Sequence, residues 1–103
     1  MKNHIYHGKR YGIGNCVVTV DSKPLNPRND LRDHSPDGFE FGYGGSGPSQ
    51  LALAMLVYEY HDESFALEHY QEFKWAVISL IQANEWEMNS EQIRKSLSKV
   101  ETP

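Results

Sequence analysis

Hydrophobic positions change their period partway along the chain. Residues 4–10 and 15–20 read as strands, the second carrying the β-branched run Cys16-Val17-Val18-Thr19-Val20. Gly12 and Gly14 between them suit a hairpin connection. Asp21, Ser22, Lys23 and Pro24 signal a turn. Residues 26–38 show no periodicity and are predicted as a long loop ending in a Ser35-Pro36-Asp37-Gly38 turn. Phe39, Phe41 and Tyr43 alternate, which predicts a third strand over 39–43. From residue 48 the period becomes helical. Residues 48–60 are apolar nearly all round, as expected of a core helix. Asp62 is placed to cap a helix over 63–82 with Ala66, Tyr70, Phe73, Val77, Leu80 and Ile81 on one stripe. A last helix over 90–100 carries Ile93, Leu97 and Val100. Asn89 with Gln92 matches a capping box, and Met88 with Ile93 a hydrophobic staple. Strands first and helices after predict an α+β fold: a small antiparallel sheet of about three strands packed on two or three helices.

The chain has 103 residues, which fits a single domain, 1–103. Its strand-rich part is 1–45 and its helical part 46–103. One cysteine, Cys16, excludes an internal disulfide. The apolar run at 51–58 is too short to span a membrane, and residues 1–4 lead into no apolar signal region. A cytoplasmic protein with no membrane partner is expected. The net charge of −4 is uneven: residues 1–50 carry +1 and residues 51–103 carry −5. That balance argues against nucleic-acid binding and directs any anionic ligand to the first half.

Five of the eight glycines lie between residues 38 and 47. Gly42, Gly44 and Gly47 match a dinucleotide fingerprint, but no second strand and acidic residue follow the helix, so that reading fails. Pro48 suits a first helical position, which would make Gly47 the N-cap. The amides of Ser49 and Gln50 and the hydroxyls of Ser46 and Ser49 would then face an anion at the positive end of the helix. Three readings compete: a tight structural turn, an anion site, and a backbone platform for a protein partner.

Residues 42–54 (Gly-Tyr-Gly-Gly-Ser-Gly-Pro-Ser-Gln-Leu-Ala-Leu-Ala) resemble the signature of a family of small uncharacterised phage, plasmid and bacterial proteins. The similarity extends to Val18-Thr19-Val20-Asp21, Leu25, Asp30-Leu31, His34-Ser35-Pro36 and the run from Tyr70 to Trp75, covering most of 5–80. Phe41 stands where that pattern has tryptophan, and the last helix lies outside it. The resemblance implies a phage-like or mobile-element accessory protein and supplies no catalytic residues.

Other chemistry is sparse. Cys16 sits in an apolar strand pattern as an inert thiol, with a catalytic pairing to His34 as the weaker alternative. His4 and His7 face opposite sides of a strand, and no metal-ligand spacing occurs, so no metal is expected. Ser46 lacks the glycine at position 48 that a nucleophile elbow needs. Arg28, Arg32 and His34 can fold over the glycine turn as anion ligands, or the arginines can pair locally with Asp30, Asp33 and Asp37. Trp75 lies off the core stripe of its helix and can mark an interface.

The expected function is noncatalytic binding of a small phosphorylated or otherwise anionic ligand, with a nucleotide as one candidate. Its site would be Gly44, Gly45, Ser46, Gly47, Ser49 and Gln50 with Arg28, Arg32 and His34. The alternative is an inhibitor or adaptor, such as an anti-defence protein, docking on host machinery through Trp75 or the acidic helices. An enzyme ranks last, because no acid, base and nucleophile set is visible. No cofactor is expected, and a homo-oligomer stays open.

Overall fold

A computed structural model describes residues 3–36 and 38–97. Asp37 and Val100, each given a role above, lie outside the described residues. The elements are β1 (Ile5–Gly12), β2 (Asn15–Val20), β3 (Lys23–Pro24), α1 (Ser46–Tyr60), α2 (Glu63–Ala76), a 3-10 turn (Ile78–Leu80), β4 (Glu85–Asn89) and α3 (Ser90–Ser96). The strands form one antiparallel sheet in the order β3-β2-β1-β4. The fold is α+β, with four strands rather than about three.

Alternation decides the two faces of the sheet. Tyr6, Val18 and Val20 point inward and are buried, while His7, Lys9, Val17 and Thr19 face outward. The core joins that inner face to α1, whose Leu51, Ala52, Leu53, Ala54, Met55 and Leu56 are all buried. A helix apolar nearly all round belongs there because almost no side of it can face water without loss. Ala66, Tyr70 and Phe73 of α2 close the core, with Ile93 and Leu97 from the chain's last described turn.

Three expectations fail for identifiable reasons. Residues 39–43 form no strand. Phe39 and Phe41 are both buried, but Gly42 turns the chain at φ +91°, a left-handed conformation that glycine adopts readily. The segment bonds elsewhere: Arg10 Nη2 donates to the Phe41 carbonyl at 2.7 Å, and the Gly42 amide to that of Ile78 at 2.9 Å. The place beside β1 goes instead to β4. The expected turn at 21–24 ends in a two-residue strand, because Asp21 and Ser22 both take positive φ and make a tight reversal. The second helix stops at Ala76, after which the 3-10 turn buries Ile78 and leaves Leu80 exposed. Two of the expected caps hold: Asp62 accepts the Phe65 amide at 3.0 Å, and Asn89 with Gln92 forms a capping box.

Candidate functional site

The glycine turn joins the buried segment 39–41 to α1. The helix begins at Ser46 with Gly45 as its N-cap, two residues before the expected Gly47 cap. The Ser49 amide, expected free, donates to the Gly45 carbonyl at 3.1 Å. Gly47, Pro48, Ser49 and Gln50 are all buried, and a Cβ on Gly47 would stand 2.7 Å from that of Glu40.

What the glycines admit is aromatic. A Cβ on Gly44 would fall within the Trp75 indole, and one on Gly45 would meet the Tyr43 ring. The Trp75 ring thus lies directly on the Gly44 backbone. Lys74 Nζ sits 4.3 Å from the Trp75 ring centroid and donates to the Gly44 carbonyl at 3.5 Å. Despite these contacts, Trp75 is 58% exposed and Tyr43 50%. Sequence spacing placed Trp75 off the core stripe. Nothing in the spacing showed that its ring would lie on Gly44.

Glu40 fixes this end of the molecule to the hairpin. It accepts from Arg10 Nε and Nη2, at 3.2 and 2.8 Å, and from the Gly14 amide at 3.2 Å. Burial alone would raise its pKa. Hydrogen bonds from Arg10, Cys16, Phe41 and Gly14 outweigh burial and hold the carboxyl below its usual range. Desolvation and the neighbouring Glu40 push the Cys16 thiol up to about 11. A thiol so disfavoured as thiolate is a poor nucleophile. The hairpin tip adds exposed Tyr11 and Ile13, and the 3-10 turn adds Leu80.

The loop residues go elsewhere. Gln50 is buried, and its side chain is consumed by the loop backbone. Its Oε1 accepts from the His34 and Ser35 amides, and its Nε2 donates to the Pro27 and Arg32 carbonyls. His34 Nε2 is hydrogen-bonded to the Tyr70 hydroxyl at 2.6 Å. Arg28 pairs with Asp30 and Glu63, and hydrogen bonds to these two raise its pKa. It lines a cleft of about 640 Å³ with Val57, Tyr60 and His61, at the far end of α1 from the glycines. A 15-residue helix is about 22 Å long, so Arg28 and the glycine turn do not form one site. Arg32 is exposed, with only its carbonyl tied to α1.

A buried polar cluster escaped the sequence reading. Glu59 Oε1 accepts from the Tyr6 hydroxyl at 2.8 Å and Ser90 Oγ at 2.7 Å, while Oε2 accepts from Arg94 Nε at 2.7 Å. Its signal was available: Glu59 is the single charge in an otherwise apolar helix. Among the described residues no helix is long and apolar enough to cross a membrane, and no group of His, Cys, Asp or Glu is arranged to hold a metal.

The model of a family of unknown function, DUF6166, matches residues 6–99. The match runs through β4 and α3, so the last helix, which the sequence resemblance left out, lies within it. No curated protein and no solved structure matches the chain.

Proposed function

The chain belongs to the family of unknown function DUF6166, and we propose that it is a noncatalytic protein-docking module whose contact surface is Trp75 with Tyr43 on the glycine turn. The observation that carries this reading is the seating of Trp75. Its ring rests on the bare Gly44 backbone beneath the Lys74 ammonium and still shows more than half its surface to solvent. A large aromatic held in place before binding loses little rotamer freedom when a partner covers it. Tryptophan and tyrosine are the side chains most enriched among energetically dominant interface residues. Tyr11 and Ile13, on the hairpin whose Gly14 amide Glu40 accepts, and Leu80 of the 3-10 turn are also exposed. The partner in this reading is a host protein, with the chain acting as adaptor or inhibitor.

The test is capture of a partner by the wild type and by Trp75→Ala, followed by titration with the purified partner. Loss of binding in Trp75→Ala at an unchanged melting temperature supports the reading. Wild-type affinity retained by both Trp75→Ala and Tyr43→Ala would refute it.

A second reading, binding of a small anion such as phosphate or a nucleotide, keeps one observation. Gly45 gives α1 no side-chain cap, and Ser46 is exposed at that end. Inorganic phosphate would then raise the melting temperature of the wild type, and less so for Ser46→Ala.

A further inference from the structure

β4 is an edge strand, and its register shows where its backbone groups point. The Arg10 amide donates to the Asn84 carbonyl at 2.7 Å, and the Ser90 amide to that of His4 at 3.0 Å. Hydrogen-bonded pairs recur at every second residue of an antiparallel ladder. The pairs Gly8–Trp86 and Tyr6–Met88 therefore carry the β1–β4 bonds. Glu85, Glu87 and Asn89 turn their N–H and C=O groups outward. The Asn89 amide is met by Gln92 Oε1 at 2.8 Å. Among the described residues nothing meets those of Glu85 and Glu87. The Trp86 and Met88 side chains go to the inner face, which leaves the Glu85 and Glu87 carboxylates on the open one.

We propose that this free edge takes an extended, lysine- or arginine-bearing segment of a partner protein as a fifth strand. Main-chain bonds supply the attachment in such augmentation, and alternate side chains supply the choice of partner. Here the choice is electrostatic. Glu85 already holds His7 at 2.6 Å, whereas Glu87 has no hydrogen bond or ion pair among the described residues. Glu87 lines two shallow grooves with Ile5, of about 450 and 270 Å³. A basic side chain directly opposite Glu87 gains a cross-strand pair, and an apolar stem beside it covers Ile5. The same charge disfavours a second copy of this chain. Antiparallel pairing of two β4 edges about Glu87 sets carboxylate against carboxylate, on chains that each carry a net −4.

The probe is an acetylated, amidated octapeptide of alternating lysine and valine, titrated at physiological salt and followed by backbone amide NMR and hydrogen exchange. The Glu85 and Glu87 amides are expected to shift and gain protection. A peptide of equal charge with a central proline is expected not to bind. Glu87→Lys should weaken binding roughly three- to tenfold. Glu87→Pro removes an outward donor while sparing the ladder to β1 and should abolish it. Unmoved Glu85 and Glu87 amides, shifts centred on Trp75, or undiminished binding by Glu87→Lys overturns the proposal. So does a wild-type dimer whose β4 edge is protected without peptide.

Discussion

Gln50 accepts the backbone N–H of His34 at 2.8 Å through its side-chain carbonyl, and that bond is one of four by which a buried amide organises an aperiodic loop. Gln50 lies in the second turn of α1, and the segment it gathers reaches from Pro27 to Ser35. A buried loop backbone needs partners, and a single amide with two donors and two acceptor positions supplies them. The proximity expected between Gln50, Arg32 and His34 is present, but through backbone atoms rather than converging side chains.

Gln50→Leu keeps the volume and removes all four bonds. The loop carbonyls and amides are then left against an apolar side chain. The expected cost is about 2–4 kcal/mol, since each orphaned buried polar group costs about 1–3 kcal/mol and the loop can partly reach water. Urea unfolding checks the total. Hydrogen exchange at His34 and Ser35 checks the mechanism, because both amides should open well before the global transition.

Two glycines two residues apart should respond differently to alanine. Gly42 combines φ +91° with the Ile81 carbonyl 2.8 Å from where a Cβ would stand. Neither backbone can yield, so Gly42→Ala should destabilise by about 1–3 kcal/mol. At Gly44 the obstacle is the outer edge of the Trp75 ring, an exposed side chain able to swing away. Gly44→Ala should therefore stay folded, within about 1 kcal/mol of wild type, while the Trp75 emission shifts. The docking reading requires the same variant to lose partner affinity.

Most of the fold was legible because its signals are local. The β-branched run of β2, the largely apolar α1, the Asp62 cap and the Asn89 capping box each depend on neighbours in sequence. The failures were nonlocal. Phe39-Glu40-Phe41 alternates like a strand, but sheet membership is decided by which segment reaches β1, and Glu85-Trp86-Glu87-Met88-Asn89 alternates equally well. That second pattern was equally readable, and only the folded chain decides which of the two pairs with β1. Of the site, the glycine cluster and Trp75 were each visible, but their contact was not: Gly44 and Trp75, 31 apart in sequence, meet only once the core has formed.

Glu40 and Cys16 should leave opposite marks on the pH dependence of stability. The Glu40 carboxyl is held below its usual value, so its contribution is present above about pH 4.3 and is lost as pH falls through the depressed folded value. Wild type and Glu40→Gln should differ in urea stability at neutral pH and converge on acidification. Cys16 is raised to about 11. Above about pH 8.5 the unfolded chain gains by ionising its thiol and the folded chain does not, so stability declines from there toward pH 11. Cys16→Ser should flatten that decline. At pH 8 the folded thiol should also react with a disulfide reagent on the order of a hundredfold more slowly than in urea, in proportion to thiolate content.

Glu59 tests whether a buried charge is held by its ion pair or by its whole set of donors. Arg94 retains some exposure, and Glu59 has almost none, with 1% of its side chain accessible. Replacing Glu59 by Gln keeps the shape and one carbonyl acceptor for the Tyr6 and Ser90 hydroxyls, while Arg94 can turn to water or keep the Glu59 backbone carbonyl, to which it already donates at 3.1 Å. Glu59→Gln should cost about 1–2 kcal/mol, as for hydrogen bonds to charged groups. Glu59→Leu strands both buried hydroxyls and removes the guanidinium's carboxylate partner, and should cost about 3–5 kcal/mol, the range for breaking a buried pair from one side. Tyr6→Phe in the Glu59→Leu background should then recover part of the loss, because it removes one of the orphaned groups, whereas the same change in wild type should destabilise. A double-mutant cycle by urea denaturation reads that sign reversal directly. If Tyr6→Phe costs the same in both backgrounds, the Tyr6 hydroxyl is not coupled to Glu59, and the cluster is an ion pair with bystanders.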